Sequence, residues 1–221
     1  MDEGNLILHD TPLAEFDYIW KEYFDFGRNY TLLHNVYNKD KYMADAVAFS
    51  PGLRVLKQDT WETLISFILS QNNNIPRIKG MIARLCECFG DKLPCGGYTF
   101  PLAGTLAKLQ PEDLAVVKAG YRAAYIVDAA RRVADGEIDL QWLHTRPSDE
   151  VYDSLQKILG VGPKVADCIL LYGFGREERY PMDVWMKRVM ERWYPNGFPE
   201  NIQPTAGIAQ QYLFHHARNN L

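Results

Sequence analysis

Short apolar runs at helical spacing recur along most of the chain, separated by tight turns, and they predict a mainly α protein. The first apolar group, Leu6-Ile7-Leu8, reads instead as a single strand within residues 5–9, without an obvious partner strand. Residues 12–30 carry a helical pattern, with Thr11 as N-cap and Pro12 at the first position. Residues 40–49 read as another helix. The run TWETLISFILS, residues 60–70, is strongly apolar and is opened by Asp59 or Thr60 with Glu62 close behind. It ends at Gln71-Asn72-Asn73-Asn74, and Pro76 begins a further helix to about Phe89. The segment 95–101, CGGYTFP, predicts a loop. Short helices are expected near 103–109 and 111–117, and longer ones over 121–134 and 148–159. After a glycine turn, helices are expected at about 164–173, 184–193 and 204–218. There is no fixed-period repeat and no low-complexity linker.

Composition changes this picture little. The 221 residues are 47% apolar and 24% charged, an ordinary globular profile. No uncharged apolar run reaches the roughly 18 residues that span a bilayer, and residues 1–20 lack the basic head and cleavage site of a secretory signal. Cys86, Cys88, Cys95 and Cys168 form no CxxC pair and stand without a histidine cluster, so neither a zinc nor an iron–sulfur site is expected, and no other metal or cofactor. Free thiols suit a reducing intracellular location. The net charge of −4 argues weakly against a nucleic-acid partner. Its distribution softens that objection: residues 1–50 hold nine acids and four bases, and the remainder is slightly basic.

The candidate chemistry centres on LQKILGVGPKVADCILLYGF. Two helices joined by Gly160-Val161-Gly162 form a tight hairpin, because glycine takes positive φ without strain. The second helix then offers free N–H groups and a partial positive charge at its start, which can hold a phosphate without reading sequence. A plain helix–helix corner would look the same. Lys164 adds to the pattern. Val165, Ile169 and Leu170 are expected to bury it partly, and a neutral amine is a nucleophile for an electrophilic carbon. Nineteen residues on, Tyr180-Pro181-Met182-Asp183-Val184-Trp185 supplies a carboxylate. Asp183 reads either as a helix N-cap or as a group that stabilises a sugar cation or takes the lysine's proton.

GVGPKVADC followed by PMDVWMKR resembles the helix–hairpin–helix DNA glycosylase superfamily. SFILSQNNNIPRIKGMIARLCECFG, AGYRAAYI and GIAQQYLFHHAR are similar to segments of its 8-oxoguanine DNA glycosylases, and the likeness runs from about residue 12 onward. The resemblance implies two helical subdomains flanking a cleft, spanning 12–221, with the hairpin at about 152–173. It implies that residues 1–11 are the remnant strand of an N-terminal β domain, so the chain is expected to be a fragment or a shortened natural form. It implies a monomer acting on double-stranded DNA that carries an oxidised or damaged purine, by a bifunctional glycosylase and abasic-site lyase reaction. Lys164 would expel the base and form the Schiff base, and Asp183 would stabilise the sugar cation. Asn72 would fill the vacated space, with Asn74 beside it; Arg77 and Arg122 would contact the orphaned cytosine, and Tyr121 would wedge the stack. Gly160 and Gly162 would hold the DNA backbone. Phe214 would stack on the flipped base, Gln210 would bond its Watson–Crick edge, and Cys168 would face its other side. The chain departs from the family at Trp185, where a histidine is common, and at Tyr172, which replaces a smaller or more flexible apolar residue near the base pocket. Alternatives are an alkylpurine glycosylase, against which Lys164 argues, and a non-catalytic hairpin module that grips DNA.

Overall fold

The computed structural model describes residues 7–8, 11–94 and 96–220. Ile7 and Leu8 have no regular structure, and the rest of the expected strand lies outside the described residues. In order, the α-helices are α1 (Leu13–Glu15), α2 (Lys21–Tyr23), α3 (Tyr30–Tyr37), α4 (Lys41–Phe49), α5 (Thr60–Ser70), α6 (Ile75–Phe89), α7 (Ala103–Leu106), α8 (Arg122–Ala134), α9 (Leu140–Leu143), α10 (Ser148–Leu155), α11 (Pro163–Tyr172), α12 (Val184–Trp193) and α13 (Ala206–Asn220). A π turn, Phe16–Trp20, joins α1 to α2, and Pro111–Val117 is a 3₁₀ helix.

Side-chain caps set several of the helix starts. Asp59 accepts the Glu62 N–H at 2.8 Å, Asn74 accepts that of Arg77 at 3.0 Å, and Asp183 accepts that of Met186 at 2.8 Å. The N-terminal expectation needs correction. The helical stretch from residue 12 breaks after Tyr23, where Asp25 turns left-handed at φ 52°, and a separate helix, α3, begins at Tyr30. Asn29 caps α3 through its side-chain oxygen. Pro12, not Thr11, occupies the cap position of α1. The helix expected over 148–159 ends at Leu155, and the next residues descend to the glycine turn through single-turn bonds.

The buried side chains fall into two cores. One gathers α5, α6, α8, α10 and α11, with Leu64, Ile68, Met81, Ile126, Leu155 and Ile169 at its centre. The other joins α3 and α4 to α12 and α13, around Tyr37, Met43, Met186, Val189 and Tyr212. The chain therefore starts in the second core, builds the first, and returns. Its return is pinned by the Tyr37 hydroxyl on the Thr205 carbonyl (3.0 Å) and the Tyr194 hydroxyl on Asp40 (2.5 Å). The Gly207 N–H on the Glu177 carbonyl (2.6 Å) ties α13 of the second core to the segment that follows α11, and the Thr60 hydroxyl on the Gly173 carbonyl (2.9 Å) holds α5 to the end of α11 within the first. Asp183, at the start of α12, lies within electrostatic reach of Cys168 on α11.

The hairpin between α10 and α11 is fixed from outside. Leu159 N–H donates to the Asp128 carboxylate of α8 at 2.8 Å. Gly160 sits at φ 81°, and a Cβ there would lie 2.2 Å from the Tyr125 ring. Gly162 is extended, and a Cβ would meet nothing within 4 Å. Gly160→Ala is therefore expected to cost about 2–4 kcal/mol, from backbone strain plus overpacking, and to lower the melting temperature by several degrees, while Gly162→Ala leaves it unchanged. Equal melting curves for the two variants would contradict the assigned turn.

Candidate active site

Lys164 stands one residue into α11, beside the hairpin glycines, and is exposed. The expectation that Val165, Ile169 and Leu170 bury it is corrected: all three are buried in the first core and turn the lysine outward. Helical geometry requires this, since those residues lie on the inward stripe of α11 while Lys164 and Cys168, one turn apart, share the other face. Among the described residues Lys164 makes no ion pair and no hydrogen bond through its amine.

Cys168 is 3% exposed. Burial pushes its thiol up to about 12; the charge of Lys164 opposes that shift, and those of Asp167 and Asp183 add to it. Cys168 is thus a neutral thiol at physiological pH, lying within the electrostatic reach of both the amine and the carboxylate. Asp183 reaches this point from the second core. It caps α12 and remains partly exposed, so the expected cap and the candidate carboxylate are the same group. Tyr172, a further turn along α11, stacks on Phe67 of α5 with ring centres 5.4 Å apart. Its phenol is pushed up by burial first, then by Cys168 and Asp183. Cys168 is thus within electrostatic reach of Lys164 and Asp183, and Tyr172 within that of Cys168 and Asp183.

A second group forms the adjoining rim. Gln71 lines an open depression of ≈ 640 Å³ together with Gly160, Gly162 and Lys164, which brings the asparagine turn beside the hairpin. The three asparagines have different jobs. Asn73 donates to the Leu69 carbonyl at 2.9 Å, and Asn74 spends its side-chain oxygen on the α6 cap. Asn72 is exposed at φ 45°, and its side chain makes no hydrogen bond among the described residues. Tyr121 is 53% exposed at the start of α8, its ring 5.6 Å from that of Tyr125. Arg77 is exposed on α6.

Arg122 differs from its expected placement. It is 3% exposed, with its guanidinium under the Tyr121 ring at 4.5 Å. Its donors go to the carbonyls of Gln71 (Nε, 2.9 Å), Asn72 (Nη2, 3.0 Å) and Ala119 (Nη1, 3.3 Å). In this arrangement it braces the turn that presents Asn72. The physical reason is the left-handed residue 72, which turns two successive carbonyls toward one fork of donors.

The third group is on α13. Phe214 is half-buried against the second core, but Gln210 is only 2% exposed and its side-chain oxygen accepts from Gln211. Gln210, expected to bond the Watson–Crick edge of a flipped base, is thus enclosed in the protein alone. Trp185, in the first turn of α12, is partly buried with Arg188 over its ring at 5.0 Å. Sequence reasoning missed Phe67, which sets the Tyr172 ring, and Asp128, which anchors the hairpin. A helical apolar pattern gives Phe67 no mark apart from its neighbours. Asp128 sits four residues before Arg132 and reads as an ordinary surface ion pair, which it also forms at 3.0 Å.

Cys86, Cys88 and Cys168 are free thiols, and Cys95 lies outside the described residues. Among the described residues no helix is long and apolar enough to cross a membrane, and no group of three or more His, Cys, Asp or Glu side chains could hold a metal. A depression of ≈ 330 Å³ lies against residues 171–175 and is lined by neither Lys164 nor Asp183.

Comparison with known proteins supplies independent context. Residues 65–204 match the family described as HhH-GPD superfamily base excision DNA repair protein. Residues 8–64 match that described as 8-oxoguanine DNA glycosylase, N-terminal domain, so this second match extends over α1–α4. A protein of Methanothermobacter thermautotrophicus named "Probable N-glycosylase/DNA lyase" is 33% identical over 95% of this chain and 76% of its own length. Among solved structures, MBOgg1 in complex with a low-affinity DNA ligand superposes with a TM-score of 0.87 and 44% identity, covering 95% of this chain and 77% of that one. The 8-oxoguanine glycosylase/lyase of Clostridium acetobutylicum, in complex with duplex DNA containing cytosine opposite 8-oxoguanine, gives 0.85 and 36% over the same shares.

Proposed function

Since the chain belongs to the HhH-GPD superfamily of base excision DNA repair proteins, we propose that it is a bifunctional DNA glycosylase and abasic-site lyase that removes 8-oxoguanine paired with cytosine. The observation that carries this reading is the convergence of an unpaired lysine and a cap carboxylate on one buried thiol at the mouth of a glycine hairpin. A gripping module has no need of the carboxylate.

In the proposed reaction the hairpin holds the strand through its backbone N–H groups, and the damaged nucleotide leaves the stack at a cost of a few kcal/mol. Asn72 and Tyr121 occupy the gap, and Arg77 contacts the orphaned cytosine. Arg122 keeps the turn in shape beneath them. Phe214 and Cys168 take opposite faces of the base, and Gln210 its polar edge once α13 admits it. The uncharged Lys164 amine then forms a bond to C1′ as the C1′–N9 bond breaks, and the base departs with a proton. Asp183 stabilises the positive charge that builds on the sugar. Loss of the remaining amine proton and opening of the C1′–O4′ bond leave an imine. Removal of a C2′ proton then expels the 3′ phosphate, which nicks the strand, and water returns the lysine.

The test is single-turnover base release from three duplexes. Release of 8-oxoguanine opposite cytosine is expected to exceed that opposite adenine by about tenfold or more, the discrimination available to two or three paired contacts. A 3-methyladenine duplex is expected to stay intact. Release of the methylated base without the oxidised one would assign the chain to alkylpurine repair and overturn the proposal.

A further inference from the structure

The Tyr172 ring is held flat against Phe67, one helical turn from Cys168 and two from Lys164. At 3.6 residues per turn these three residues lie within about 80° of one another around α11. A phenylalanine would fill the same stack. What tyrosine adds is a hydroxyl, and among the described residues that hydroxyl makes no hydrogen bond within the protein. It also differs from the enclosed, unpaired Nε1 of Trp20 and Nε2 of Gln71, because it is not sealed from solvent. A polar atom on a pinned ring, unpaired within the fold among the described residues and not sealed from solvent, is placed for a partner from outside.

The groups around it decide its role. Burial above all, with Cys168 and then Asp183 adding to it, raises the phenol's affinity for its proton, so the phenol keeps it. It therefore meets a partner as a donor, and the natural complement is a carbonyl oxygen. We propose that the Tyr172 hydroxyl donates a hydrogen bond to a carbonyl oxygen of the extruded purine and so helps to select guanine-derived bases. This rests on the base-excision reading above. Guanine carries one exocyclic carbonyl, and oxidation at C8 adds a second. Adenine and 3-methyladenine carry none and would leave the hydroxyl unpaired in a closed site.

Tyr172→Phe keeps the ring and its stack on Phe67, so the fold is expected to be unaffected. Two substrates separate the outcomes: a duplex with 8-oxoguanine opposite cytosine, and the same duplex with a preformed abasic site. Single-turnover base release is expected to fall about five- to tenfold, the worth of one neutral hydrogen bond, while nicking at the abasic site stays within twofold of wild type. Unchanged base release would overturn the inference. An equal fall on both substrates would also overturn it, since Tyr172 would then be a packing residue. Failure of the wild-type protein to release 8-oxoguanine at all would remove the base-excision reading, and this inference with it.

Discussion

Lys164→Gln is expected to abolish strand nicking and borohydride trapping on 8-oxoguanine DNA. The loss should be at least about a thousandfold in the single-turnover rate, as removal of a catalytic nucleophile commonly costs that much or more. The structure makes this a clean experiment. Lys164 is exposed and unpaired, so its loss should leave stability within about 0.5 kcal/mol of wild type. Duplex binding should persist, because the hairpin's backbone groups remain, and the slope of log affinity against log salt should shallow by about one at most. Loss of activity with intact folding and binding identifies chemistry. A variant that still nicks and still traps would show that another amine does the work.

Asp183→Asn isolates charge from structure in the same way. Asparagine caps a helix about as well as aspartate, so the bond to the Met186 N–H and the start of α12 should survive. What disappears is the negative charge that the proposed reaction sets against the developing sugar cation. Base release is expected to slow by about a hundred- to a thousandfold, the usual cost of one preorganised electrostatic group, with melting temperature and DNA affinity near wild type. Asp183→Ala would lose the cap as well, at about 1 kcal/mol of stability. If the asparagine variant kept full activity, Asp183 would be a cap and nothing more.

Much of this site is legible in the sequence, and the limits have physical causes. A glycine turn followed by a lysine marks the start of α11 because no other residue type takes φ 81° against the Tyr125 ring. Asp183 declares itself by the capping pattern ahead of an apolar run. Helices α5, α6, α11 and α12 follow from caps and period, and the structure has them within one or two residues of expectation. The break near Phe24 was hidden because the aromatic run on both sides keeps a helical spacing; Gly27 and Asn29 were the available signals, as a stop and a cap. Side-chain burial was the least legible property. Whether an arginine is solvated or folded beneath a loop depends on carbonyls fifty residues away, as at Arg122, Gln71 and Asn72. Lys164 erred in the opposite sense. Apolar neighbours in sequence are not neighbours in space on a helix, and Val165, Ile169 and Leu170 face the core while the lysine faces out.

An exposed lysine also shifts the weight of the mechanism. In the proposed reaction the amine reacts in its uncharged form, and a bound duplex is what would remove water from around it. Pre-organisation in the free protein thus lies in the surroundings: the anchored hairpin, the braced Asn72 turn, the neutral Cys168 thiol and the fixed Asp183 cap.

The most direct measurement is peptide mapping of the wild-type complex after borohydride reduction on DNA containing 8-oxoguanine opposite cytosine. The account predicts one deoxyribose-derived adduct, on the peptide that contains Lys164. An adduct on any other amine, or base release with no covalent complex under reducing conditions, would contradict it.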